Sequence, residues 1–119
     1  MREIRINDLF SRIADTLNQE ERMTEEAFDA LAFLRGEVAR TVVGTDRIPV
    51  ESKGIHSFFM SVHDTLLENG TMTDAAYKAI NILSRALQDH VAWHADGLDI
   101  VYLDGSIVRM NRYAAIGHA

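Results

Sequence analysis

Residues 23–28 read MTEEAF and residues 72–77 read MTDAAY, 49 positions apart. The match extends beyond these six letters. With 8–43 laid on 57–92, DTL at 15–17 falls on DTL at 64–66, and Phe10 falls on Phe59. Met23, Thr24, Ala27, Ala30, Leu34 and Val42 fall on Met72, Thr73, Ala76, Ala79, Leu83 and Val91, giving 10 identities in 36 positions. Phe28/Tyr77, Leu31/Ile80 and Ile13/Val62 are conservative exchanges. A repeat constrains a fold strongly. Whatever supersecondary unit the first copy builds, the second builds too, and neither buries its apolar face alone.

The unit is a helical hairpin. In LFSRIADTL, the residues Leu9, Phe10, Ile13, Ala14 and Leu17 share one helical face, and Asn7 is a candidate N-cap. The longer helix starts at Thr24, a cap residue, with Glu25 and Glu26 where the helix dipole favours acids. Met23 is placed to staple onto Phe28. The spacing predicts that this helix runs to about Val43, before Gly44. TDRIPVES reads as a loop. A third helix is expected over roughly 53–69, and a fourth from Thr73 to about His94. Two such hairpins predict a four-helix arrangement with a pseudo-twofold axis.

After His94 the periodicity changes. DIVYLDGSIVRMN contains two β-rich runs around Asp104-Gly105, a strong two-residue hairpin signal. The expected fold class is therefore α+β, mainly α: a duplicated helical hairpin followed by a β-hairpin over 98–111. The alternating segment REIRI is available to it as a third strand. All 119 residues are expected to form one domain, with repeat 1 at about 8–43 and repeat 2 at about 57–92. The oligomeric state is open, and an uncovered hairpin and a duplicated core are both compatible with a homodimer.

Composition excludes several function classes. The chain carries 18 acids against 12 bases, a net charge of −6, which opposes direct binding to nucleic acid. There is no cysteine, so thiol catalysis and thiolate metal sites are ruled out. No apolar run approaches a membrane span, and MREIRINDLF lacks a signal-peptide core, so the expected location is cytoplasmic. No nucleophile elbow, phosphate loop or dinucleotide fingerprint is present, and neither an enzyme nor a cofactor is expected.

Two constellations remain. HVAWH at 90–94 places two histidines four apart, continuing the stripe Ala76, Ile80, Leu83, Leu87, His90, His94. An antiparallel third helix brings His56 level with them, and three imidazoles of this kind suit a divalent metal. HVAWH lacks the acid of HExxH, and none of the five histidines has a histidine counterpart in the other copy. The expectation is a structural role and no bound metal. The second constellation is the acidic first turn. Seven acids between Asp15 and Glu37 face two bases, Arg22 and Arg35, and EERMTEE becomes ENGTMTD in the second copy. Glu20, Glu21, Glu25, Glu26 and Asp29 are the candidate partner-binding residues. They suggest a small interaction module, an adaptor, inhibitor or regulatory subunit, whose partner presents a basic surface.

Overall fold

A computed structural model describes residues 2–87 in full and, beyond them, the backbone of three short strands. Strand β1 is Arg2–Arg5, followed by helices α1 (Ile6–Gln19) and α2 (Glu25–Thr41). Strand β2 is Arg47–Val50, followed by α3 (Ile55–Glu68) and α4 (Asp74–Ala86). The remaining strands are β3 (Val91–Trp93), β4 (Asp99–Tyr102) and β5 (Ile107–Arg109), with β4 antiparallel to both neighbours. The Asp104-Gly105 turn lies outside the described residues. No helix among the described residues is long and apolar enough to cross a membrane.

Three of the four pairs of helix boundaries keep the register of the sequence repeat; the long helices end at Thr41 and Ala86, out of that register. Ile6 and Ile55, Gln19 and Glu68, and Glu25 and Asp74 are each 49 residues apart. The caps match as well. The Thr24 hydroxyl accepts from the Ala27 amide, and Thr73 accepts from Ala76 in the same way. Both short helices close in a Schellman motif. Arg22 N–H donates to Leu17 C=O and Glu21 N–H to Asn18 C=O; Thr71 donates to Leu66 and Gly70 to Leu67. That motif needs one residue in the left-handed region. Gly70 supplies it at φ 70°, and Glu21 adopts it at φ 58°. A side chain there costs about 1–2 kcal/mol relative to right-handed backbone.

The core is made where these faces meet. Leu9, Phe10, Ile13 and Leu17 are buried, and so are their counterparts Phe58, Phe59, Val62 and Leu66. Ala27, Ala30, Leu31, Leu34 and Val38 are matched by buried Ala76, Ala79, Ile80, Leu83 and Leu87. The two long helices make the most extensive helix–helix contact, each burying two alanines of its inner face. They run antiparallel, and each hairpin turn reaches the end of the other long helix. Arg22 Nη1 donates to the Ala86 carbonyl at 3.1 Å, and the Thr41 and Thr71 hydroxyls bond at 2.8 Å. Packing within the hairpins is less even: α1 lies more closely on α2 than α3 does on α4, and α3 leans on α2 and β2 instead.

The structure corrects several expectations. RIPV in the expected loop is a strand, with Ile48 and Val50 turned inward and Pro49 outward. It pairs with β1, so REIR joins the chain's middle and not the C-terminal strands. α1 begins at Ile6, one residue before the expected Asn7 cap, because Ile6 N–H donates to the Asp46 carbonyl at 2.7 Å. α4 stops at Ala86, where Arg22 satisfies a terminal carbonyl that would otherwise lack an intrahelical partner. Val91–Trp93, where the fourth helix is expected to continue, is extended and paired with β4, while His90 and His94 lie outside the described residues.

Candidate functional site

The acidic turn and its surroundings divide into a structural part and an open part. Glu20 and Arg22 are half-buried, and Arg22 Nη1 lies 3.9 Å from a Glu20 carboxylate oxygen as well as on the Ala86 carbonyl. These two residues tie the turn to the end of α4. Glu21, Glu25, Glu26 and Asp29 are exposed. Glu25 and Glu26 occupy the first turn of α2, where four amides lack intrahelical partners and negative charge is favoured. Part of the acidity thus serves the helix, and the exposed remainder is left for solvent or a partner.

Beside these acids lies a trough of about 460 Å³ between α1 and α2. Its apolar lining is Phe10, Ala14, Met23, Phe28, Leu31 and Ala32. Asn18 stands at the turn end, with Asn7 and Arg35 at the other. On helical spacing, Asp15 follows Ala14 around α1, and Glu25 and Asp29 adjoin Phe28 and Ala32 around α2. The acids therefore edge the apolar floor. Phe28 is 61% exposed, a large ring left open at one wall. Phe33 and Val43 are exposed too, but neither lines the trough.

The sequence points to the acids and misses the trough. Pairing Met23 with Phe28 as a staple implies that the ring is covered, whereas most of its surface is accessible. A usable signal exists in the repeat. Ser11, Ala14, Asn18 and Ala32 are replaced by Met60, His63, Leu67 and Asn81, each a larger side chain. A column of small residues opposite larger counterparts marks a face filled in one copy only.

The histidines do not form a described cluster. His56 is half-buried at the start of α3, its ring near Gly54, while His90 and His94 lie outside the described residues. His63 is almost fully buried, its Nδ1 bonded to Asp64 at 2.9 Å. Among the described residues no three His, Asp or Glu side chains are grouped to hold a metal. A separate charged surface runs along the β1–β2 ribbon. Arg5 and Arg47 sit opposite each other there, and Asp46 lies 3.0 Å from one guanidinium and 4.0 Å from the other. The Arg5 hydrogen bond lowers the Asp46 pKa below the ordinary carboxylate value. No protein family, curated protein or solved structure matches this chain.

Proposed function

We propose that this protein is a small interaction module that docks a protein partner with a basic surface through its first helical hairpin. The observation that carries the reading is the open α1–α2 trough with its apolar floor, on a hairpin whose exposed acids Asp15, Glu25 and Asp29 neighbour the lining residues in sequence. Apolar area supplies affinity when it is removed from water, and charge at the rim supplies orientation and encounter rate. Adaptor, inhibitor and regulatory subunit are all roles of this kind. We read the framework as a duplicated hairpin, completed at the C-terminus by a β-hairpin turning at Asp104-Gly105. The absence of cysteine suits a reducing cytoplasm, where we place the activity.

The test reverses the charge. Replacing Glu20, Glu21, Glu25 and Glu26 together by lysine should leave most of the fold intact, because exposed positions contribute little to stability. A partner that co-purifies with the wild-type protein from its native cell should bind the variant more weakly, and the complex should lose salt sensitivity. Unchanged affinity at low salt removes this surface from consideration. Because Glu20 is half-buried beside Arg22, the triple variant that leaves it in place provides the control for folding.

A further inference from the structure

The occupant of the trough can be argued from its shape, its charge and its counterpart in the second hairpin. Two packed helices leave a groove into which the ridge of a third helix fits. The groove is floored by Phe10, Ala14 and Leu31 and walled by Phe28. In the second hairpin the matching positions are less open: His63, Met72, Tyr77 and Ser84 are buried, and Met60, Leu67 and Asn81 are half-buried. Ser84 is smaller than Arg35 yet fully buried, so that face is covered as well as filled. The second hairpin thus covers more of this face than the first, where Phe28 and Arg35 are exposed.

We propose that the open groove takes a basic amphipathic helix of a partner protein, an inference that rests on the interaction reading above. Leucine-like side chains at i, i+3, i+4 and i+7 of that helix would seat on Phe10, Ala14 and Phe28. Lysines or arginines beside them would face Asp15, Glu25 and Asp29. Polarity follows from the same charges. The acids lie toward the turn and Arg35 at the opposite end, so the positive N-terminal end of the ligand's dipole points to the turn. The ligand then runs parallel to α2. A second copy of this chain is a poorer occupant. A twofold contact through the groove sets one acidic rim against another, in a protein whose net charge is already −6.

A synthetic helix of leucine and lysine, roughly four turns long with leucine on one face, serves as the probe. Its affinity for the full chain is measured by fluorescence anisotropy. A peptide of the same composition with leucine and lysine scrambled out of helical phase is the reference. The expected result is binding of the amphipathic peptide at least about tenfold tighter than the scrambled one. Ala14→Trp, which plugs the floor, should weaken it about tenfold or more. Phe28→Asp should weaken it as well, although it adds an acid, because it removes the apolar wall. Ala14→His, the residue the second hairpin carries, repeats the plug should the tryptophan variant fail to fold.

Other outcomes overturn the proposal in distinguishable ways. If the Glu25→Lys and Asp29→Lys double variant loses the peptide while Phe28→Asp and the plug keep it, the acidic surface docks but the groove does not. The interaction reading then stands and this inference falls. If the amphipathic and scrambled peptides bind alike and no variant matters, both fall. If sedimentation shows a dimer that Ala14→Trp dissociates, the occupant is a second copy and the proposal is wrong.

Discussion

The two helical hairpins share a scaffold and differ in what it encloses. Their short helices have the same length, their Schellman turns use equivalent residues, and their threonine caps have nearly identical backbone angles, φ −114° ψ 169° at Thr24 and φ −113° ψ 168° at Thr73. Most of their apolar core positions match, although α3 also buries Ser57, Ser61 and Thr65 where α1 leaves Asp8 and Arg12 exposed. Their outer faces differ. Phe28 is 61% exposed where Tyr77 is 8% exposed, Arg35 is exposed where Ser84 is buried, and half-buried Ala14 corresponds to buried His63. The strand after each long helix also behaves differently. β3 packs back on α4, whereas β2 turns away from α2 to pair with β1 and lie on α3. The two hairpins agree in the apolar residues of their shared core and differ on their outer faces, where the first carries an open apolar trough.

This contrast yields measurable differences between equivalent positions. The largest effects are expected where the copies agree. Leu34→Ala and Leu83→Ala each remove a fully buried side chain and should each cost about 2–5 kcal/mol, with similar losses in the two hairpins by chemical denaturation. A loss confined to one hairpin would break the claim of a shared core. Next come the caps. Thr24→Ala and Thr73→Ala should each cost about 1 kcal/mol, because each leaves one helix amide unsatisfied.

The turns sharpen the comparison from the other side. Glu21→Gly relieves a left-handed side chain and should stabilise the protein by up to about 1 kcal/mol, whereas Gly70→Glu should destabilise it by a similar amount. Equal responses of the same sign would show that the two turns do not share a conformation. The smallest effect is expected at the solvent-exposed Asp46. Its folded pKa is lowered by the Arg5 hydrogen bond, so its contribution is present above the ordinary carboxylate range and is lost as pH falls through the folded value. Exposure and salt screening keep that contribution small, and Asp46→Asn should shift the melting temperature least of all the variants named here.

Much of this architecture is legible in the sequence, for a physical reason. Helical hairpins are set by local signals: a threonine cap, an acidic first turn and an apolar stripe of period 3.6. Both hairpins carry those signals, 49 residues apart. The misreadings fall where a distant group decides the outcome. α4 ends at Ala86, whose carbonyl accepts from Arg22, 64 residues away in sequence, and Val91–Trp93 is extended, so the expected helix overshoots. RIPV reads as a loop because Pro49 argues against a strand, yet a two-stranded ribbon accepts proline where no ladder bond is needed. The acids of the candidate site are visible as a charge run. The trough beside them depends on which face of Phe28 is left uncovered, and a single helix's pattern does not record that.

The most direct test of the contrast is a double dissociation between Phe28 and Tyr77, scored for stability and for binding of the leucine–lysine helix. Phe28→Ala should lower the melting temperature by no more than about 5 °C, as expected for a largely exposed side chain, and should weaken peptide binding about tenfold. Tyr77→Ala should cost about 3 kcal/mol, roughly 15 °C, and leave the peptide affinity of the folded protein unchanged. Equal thermal losses at the two positions, or peptide binding that ignores Phe28, would contradict an open docking face on the first hairpin.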